Sequence, residues 1–516
     1  MRPILLSLAT LLAVTAGIAP SQRGGAQAPQ TVTVGVYADA ISLDPANTND
    51  NLTYSIEREV YDGLVGIAPD LKFVPELATS WDVSPDARVF TFHLRPGVTF
   101  QDGAPLDAAA VKLNFDRARD PANKLIRRNL YENITSVDVV DPSTVRFTLA
   151  QPFGAMMYNF SHPASRMISP TAIARGESYI ARQAVGTGPF RFVSWEPGQE
   201  IVLERNPGYR DRGEPKVDRL VFKPATEDGA RVAMLLSGGA QFVFTVPGVQ
   251  AEAVSRADGI TLLKRWSDYA YYIALNNQRA PFDNPAVRQA LNFAVDKIAI
   301  IQVVLRGYGR PLDSPVAPGI AGYAAVQPHG WPYDLARAKR LLAEGGYPNG
   351  FSAVLAEGND TEAQRVGEAV QQMLAAVGVK VTLQPMEAGT LSAMWAAPVD
   401  RSRTQMSLFG WAPATLDADW GLRPLFAGES WPPTLFNIEF YKNPQVDALL
   451  AAGLSTASQA ARNKTYAEAL RLIWRDAPSI FLYNSRTIAG ERTSLSGAIL
   501  QPDGKIDVRW VQMAGH

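Results

Sequence analysis

Four histidines, His93, His162, His329 and His516, are the imidazoles of this chain, and no two stand at metal-ligand spacing. There is no cysteine, which excludes thiol catalysis, thiolate metal sites and disulfides together. No H-E-x-x-H run and no G-x-S-x-G elbow is present, and Gly504-Lys505 is followed by Ile506 where a phosphate-binding loop needs Ser or Thr. Gly186-x-Gly188 and Gly307-x-Gly309 are too short for a dinucleotide fingerprint. Asp417 and Asp419 set two carboxylates one residue apart, a spacing that serves acid–base work or cation binding and specifies neither. The expectation is a protein without a catalytic constellation, a metal site or a cofactor.

The chain does carry an inventory for binding. Gly410-Trp411 closes the strand-like run Met406 to Phe409, and Asp417, Asp419, Trp420, Arg423 and Trp431 follow closely. In a predicted loop, aromatic rings among a few polar groups are the materials of a small-ligand cleft.

The elements that must position these residues follow from periodicity. Thr31 to Tyr37 alternates as a strand, ended by Leu43-Asp44-Pro45. Val89 to Leu94 puts Phe90, Phe92 and Leu94 on one strand face, Asp107 is placed to cap a helix, and Thr144 to Leu149 is another strand. A second block holds strands at Phe190 to Trp195, Ile201 to Glu204 and Arg219 to Lys223, with a short helix over Arg231 to Leu236. From Tyr269 strands and helices alternate: strand Tyr271 to Asn276, a long helix Pro285 to Leu305 with Val287, Leu291, Val295 and Ile298 on one face, then helix Asp334 to Glu344. Strand Ser352 to Ala356, a helix ended by Gly378 and a strand through Val379, Val381 and Leu383 continue the pattern. Such alternation predicts a mainly parallel sheet. A last helix carries Tyr466, Leu470, Ile473 and Trp474, and the chain is expected to return to its first lobe at the strand Ile480 to Tyr483.

Over 516 residues, 47% hydrophobic and 19% charged residues describe a globular protein with material for several cores, and the formal net charge of −1 offers no basic face for nucleic acid. Arg2, the apolar stretch Ile4 to Ala19 and the small-x-small site Ala26-Gln27-Ala28 predict an export signal over 1–28. Without cysteine there is no lipid-modified anchor, so the expected mature form is free in the periplasm.

Many ordered landmarks resemble the family 5 solute-binding proteins of ABC importers, which include dipeptide, oligopeptide and nickel receptors. They are Leu43-Asp44-Pro45, Tyr61-Asp62-Gly63-Leu64-Val65, Pro75-Glu76-Leu77-Ala78, Ser80-Trp81, Phe90-Thr91-Phe92, Leu94-Arg95-x-Gly97-Val98, Phe100-x-Asp102-Gly103, Gly186-Thr187-Gly188-Pro189-Phe190, Arg205-Asn206-x-x-Tyr209 and Phe282-Asp283-Asn284. A narrower set is similar to the glutathione-binding members of that family: Asn129-Leu130-Tyr131, His162-Pro163-Ala164, Trp331-Pro332-Tyr333-Asp334, Gly410-Trp411, Ala418-Asp419-Trp420, Pro424-Leu425-Phe426-Ala427 and Trp431-Pro432-Pro433-Thr434-Leu435-Phe436-Asn437.

The resemblance implies an α/β, mixed α+β, two-lobed periplasmic binding protein fold with a cleft and hinge between the lobes. It implies three domains: a discontinuous first (31–50, 177–268 and 477–516), a second (51–176) packed on it, and a third (269–476) forming the other lobe. It implies a monomer that takes a small peptide, glutathione in preference, to an inner-membrane permease and its ATPase subunits, with no nucleic-acid partner. Dipeptide receptors of the family hold the ligand's ammonium with an aspartate three residues after the Gly-Trp tryptophan; here that position is Ala414. Asp417 or Asp419 is therefore nominated for the ammonium, and Arg128, or else Arg423, for a carboxylate. Trp411, Trp420, Tyr37, Tyr131, Tyr269 and Tyr272 are nominated as walls, and Asn49 and Asp50 as a cleft-edge loop.

Overall fold

A computed structural model describes residues 29–68 and 70–514. The export-signal expectation for 1–28 lies outside the described residues. No helix among them is long and apolar enough to cross a membrane.

The fold is organised by two long antiparallel strands, Ile260–Leu275 of 16 residues and Ser479–Arg492 of 14. At roughly 3.3 Å per residue each runs about 45–50 Å, long enough to serve both lobes. Ile273, Ile480 and Phe481 lie in the core of the second lobe, whereas Ala489 lies in that of the first. Between those ends the register slips from Trp266 to Ala270, and such a bulge bends the strand that carries it. The buried Asn484 side chain closes the irregularity, donating to the carbonyls of Ser267 (2.7 Å) and Tyr269 (2.8 Å). Backbone polar groups freed by the slip thus keep their partners.

On either side of these strands one sheet continues. Toward the second lobe come Met406–Trp411, Ser352–Gly358 and Lys380–Met386; toward the first come Phe242–Phe244, Thr31–Val36, Arg219–Pro224, Glu200–Arg205 and Phe190–Glu196. The expected mainly parallel sheet is corrected to a mixed one. Ser352–Gly358 is parallel to both its neighbours, but Ile260–Leu275 is antiparallel to Met406–Trp411 and to Ser479–Arg492, because the chain crosses between lobes once in each direction. The long helix expected from Pro285 to Leu305 is two helices, Pro285–Ala294 and Lys297–Val303. Asp296 starts the second by accepting from the Ala299 amide at 3.0 Å, and Ile298, expected on the apolar face, is exposed.

A separate four-stranded antiparallel sheet, Ala78–Val83, Val89–Leu94, Thr144–Leu149 and Ile134–Asp141 in that order, packs Phe92, Phe115, Phe147 and Phe160 edge to face. Helix Ala108–Arg119 covers it, capped by Asp107 as the sequence predicts. Helix Asn51–Val60, assigned from sequence to this unit, packs Leu52, Ile56 and Val60 into the first-lobe core, so we propose that the boundary falls near Tyr61-Asp62-Gly63.

Candidate functional site

A cleft of about 580 Å³, part of it open solvent, lies where helix Asn51–Val60, the segment 158–166 and the tail loop 501–505 face residues 414–416 of the second lobe. Its charged lining, Arg58, Glu76, Arg166, Asp503 and Lys505, comes wholly from the first-lobe side; the second lobe contributes Ala414, Thr415 and Leu416. Most of these charges are already engaged. Arg58 pairs with Asp507 (3.4 Å) and Lys505 with Asp503. Glu76 accepts from the Gly63 amide (2.8 Å) and lies 3.9 Å from Arg509.

Arg166 is different. Its guanidinium donates to the Tyr54 carbonyl at 3.0 Å and has no carboxylate within ion-pair distance among the described residues. Burial, together with the Arg58 and Arg509 cations, lowers its pKa to about 10 against the opposing pull of Glu76 and Glu57, so it stays charged at neutral pH without an ion-pair partner. His162, also in the lining, accepts the Ala164 amide on Nδ1 at 3.0 Å. Its proton is thereby assigned to Nε2, which is buried without an acceptor. Burial and the Arg127, Lys505 and Arg166 charges push its pKa well below the usual range, which keeps the ring neutral. Behind the lining, burial raises the Glu59 carboxyl to about 8, Asp507 adding to the effect against Arg509 and Arg58.

The nominated residues divide into groups. Tyr37, Asp50 and Tyr269 come together: each tyrosine is half-buried, and its hydroxyl is pushed up by burial, with the Asp50 charge adding at Tyr37 and Asp268, Asp503 and then Asp50 adding at Tyr269. Tyr269 approaches Gly504, beside the cleft loop, where Asn51 donates to the Asp503 carbonyl at 2.8 Å. Asp50 caps helix Asn51–Val60 through the Thr53 amide, and Asn49 is exposed.

Asp417 and Asp419 are not in a loop, as expected, but at the start of helix Ala418–Phe426, and both are taken by arginines of their own lobe. Asp417 is fully buried against Arg462. Asp419 accepts from Arg423 at 3.0 and 2.8 Å, which engages the third nominee as well. Trp411 is half-buried, donates to the Trp420 carbonyl at 2.9 Å and packs on Phe409 and Phe436. Two nominated walls are core residues. Tyr131 is fully buried against Phe115, and Tyr272 is buried with its hydroxyl on the Pro315 carbonyl. In each case the apolar body of the tyrosine outweighs its polar tip. Arg128 lies outside the cleft lining and sits near Glu132 at 3.5 Å.

Arg58, Glu76, Arg166, Asp503 and Lys505 were not nominated. Two signals pointed to them. Arg166 follows the landmark His162-Pro163-Ala164 by two residues, and Lys505 belongs to the Gly504-Lys505 pair that fails as a phosphate loop.

The model for bacterial extracellular solute-binding proteins, family 5 (middle region), matches residues 72–432. The glutathione-binding protein GsiB of Pectobacterium atrosepticum is 42% identical over 478 residues, covering 92% of this chain and 93% of that protein. The protein of the same name from Salmonella typhimurium is 41% identical over 480 residues, covering 93% of each. Among solved structures, the periplasmic binding protein DppA from Helicobacter pylori in complex with the peptide STSA superposes with a TM-score of 0.78 at 27% identity, over 93% of this chain and 98% of that one. HbpA2 from Haemophilus parasuis superposes with a TM-score of 0.82 at 26% identity, over 94% and 99%.

Proposed function

Because the chain belongs to the family 5 bacterial extracellular solute-binding proteins, we propose that it captures glutathione between its lobes and presents it to the permease of an ABC importer. The observation that carries this reading is the unpaired Arg166 guanidinium in a lining with one cation in excess, Arg58, Arg166 and Lys505 against Glu76 and Asp503. Glutathione near neutral pH has two carboxylates and one ammonium, a net charge opposite to that excess. A desolvated charge left without a partner costs several kcal/mol (about 2–7 even for a neutral polar group), so a closed cleft selects a ligand whose charges it can match. Arg166, with Arg58 beside it, takes one carboxylate. Glu76 or Asp503 takes the ammonium, and His162 Nε2–H is a neutral donor for a further ligand oxygen.

An ordinary dipeptide, with one carboxylate and one ammonium, is disfavoured because it leaves the excess cation of the lining unmatched, and Ala414 adds no carboxylate on the second lobe. Closure follows the ligand's preference for the closed form, since equal affinity for both forms shifts no population. In this reading the protein is an exported, periplasmic monomer without a lipid anchor; its partners are the permease and its ATPase subunits, and it performs no catalysis.

Calorimetric titration of the mature protein with reduced glutathione, oxidised glutathione, mixed di- and tripeptides and nickel tests the assignment. Binding confined to glutathione is the expected result. Equal binding of many peptides rejects glutathione in favour of a general peptide receptor, nickel-dependent binding points to a chelate receptor, and peptide turnover without a permease rejects the receptor itself.

A further inference from the structure

The lobes also meet away from the two crossing strands. The Gly154 amide, in the second domain, donates to the Leu454 carbonyl of the other lobe at 2.8 Å. The Gly154 carbonyl accepts from Arg462 Nη1 at 3.2 Å. Tyr158, which lines the cleft, reaches Gln459 across the same junction at 3.4 Å.

Glycine is required at 154 by this approach alone. Its φ is not in the left-handed region, so the backbone conformation suits any residue. A Cβ there would stand 1.8 Å from the Thr456 carbonyl oxygen and 2.8 Å from its carbon. Those are backbone atoms, which no side-chain rotamer moves aside, and they belong to the opposite lobe. The clash therefore exists only when the lobes are together.

Arg462 carries the contact onward. Its side chain is almost fully buried, its Nε donates to the Gly453 carbonyl at 3.2 Å, and its Nη2 pairs with Asp417. Asp417 directly follows Leu416, a cleft-lining residue held at φ 58°, a conformation that persists only where the surroundings fix it. The fixing groups are Asp417 and Ala321: the Ala321 amide donates to the Leu416 carbonyl at 2.9 Å, and the Ala418 amide to the Ala321 carbonyl at 2.8 Å.

We propose that Gly154 and Arg462 are positioning residues of a closure latch: docking of Gly154 on the 454–456 turn completes the partners of Arg462, which through Asp417 holds Ala414–Leu416 against a bound ligand. The proposal rests on the reading above that the ligand is held in the closed cleft. Neither residue touches the ligand. A substitution at Gly154 penalises the closed form alone, so apparent affinity falls by the factor by which closure is disfavoured. The open first-lobe wall that the ligand meets first is untouched, so the loss resides in the dissociation rate.

The test is Gly154→Ala beside Gly229→Ala, a control whose added Cβ meets no atom within 4 Å. Glutathione and a mixture of di- to tetrapeptides serve as probes, with dissociation rates from surface plasmon resonance and compaction from small-angle scattering. We expect Gly154→Ala to weaken binding at least about tenfold, equivalent to about 1.4 kcal/mol, through faster dissociation. Its scattering radius at saturating ligand should stay at the ligand-free value, with an unchanged ligand-free melting temperature, while Gly229→Ala matches the unsubstituted protein. Unsubstituted affinity and full compaction in Gly154→Ala overturn the latch. An unsubstituted protein that binds the peptide mixture but not glutathione overturns only the glutathione assignment, and the latch is then read from the peptide signal.

Discussion

Replacing Asp419 by asparagine separates a ligand-binding role for this carboxylate from a bracing one. Both its oxygens are engaged by Arg423, at 3.0 and 2.8 Å, and its side chain is 2% exposed whereas that of Arg423 is 21% exposed. Hydrogen bonds to charged groups contribute about 1.5–3 kcal/mol, and the solvent that reaches Arg423 places this pair toward the lower end. For a lobe of roughly 200 residues, 1 kcal/mol moves the melting temperature by roughly 2–4 °C. Asp419→Asn should therefore lower the melting temperature of the second lobe by roughly 3–6 °C and leave the dissociation constant for glutathione within about twofold, since no ligand contact is removed. Asp417→Asn is the harsher companion: Arg462 is 1% exposed, and breaking one partner of a buried pair costs about 3–5 kcal/mol, a fall of at least roughly 6 °C. Calorimetry for stability and titration well below the transition read the two effects separately. A melting temperature unmoved by Asp419→Asn, with binding weakened tenfold or more, would refute this reasoning and return that carboxylate to the ligand's ammonium.

Arg166→Ala should weaken glutathione binding by roughly 10-fold to 150-fold, the equivalent of one charged hydrogen bond of about 1.5–3 kcal/mol, without destabilising the ligand-free protein; titration and melting together check this. Ala414→Asp, which adds a carboxylate to the uncharged wall of the cleft, should raise affinity for dipeptides with a free ammonium, measured by competition against glutathione. Stability should fall as pH rises from 5 to 7. Burial raises the Glu59 and Glu439 carboxyls to about 8 and about 7, so over that window the folded state keeps protons that the unfolded chain has released, and each such group lowers stability with increasing pH. Lys297, lowered by burial to about 7, acts in the opposite sense only above that value, and His162, kept neutral when folded, offsets part of the fall within the window. Glu439→Gln, which keeps a donor and an acceptor at a carboxyl that takes the Ser479 hydroxyl at 2.7 Å, should flatten the slope; melting scans at pH 5, 6 and 7 decide it.

Periodicity read the elements well where one face is buried and one is not. Val89–Leu94 and Thr144–Leu149 fall where alternation places them, and the cap at Asp107 was legible from its residue type. It failed at Asp296, whose side chain restarts a helix inside an apolar pattern that runs through unbroken, because a capping aspartate and a surface aspartate are the same letter. Strand direction was illegible for a related reason. Alternation of strand and helix is local, whereas the antiparallel pairing of Ile260–Leu275 with Ser479–Arg492 joins segments some two hundred residues apart. Residue types supplied nominees for the site, but not the partners that hold them. An aspartate near a tryptophan is a sound nominee until Arg423 and Arg462, four and forty-five residues away, are found holding the two carboxylates. Arg166, the lining cation without an ion-pair contact, has no signature of its own, since that is a property of the folded surroundings.

The division of labour between the cleft walls has a consequence for how affinity is built. All the charge in the lining comes from the first-lobe side, and the second lobe offers Ala414, Thr415 and Leu416. Long-range attraction for an anionic ligand is therefore complete before closure, and it sets the association rate and its salt dependence. What closure adds is short-range: exclusion of water over the ligand, which strengthens each charge pair already formed, and the Gly154 contact that holds the lobes together. Charge substitutions at Arg58 or Arg166 should then act through association and recognition, and substitutions at Gly154 or Arg462 through residence time. A second-lobe carboxylate at 414 would merge the two roles, because the group that recognises the ammonium would also have to close on it. With alanine there, recognition and retention rest on different residues and can be tuned apart.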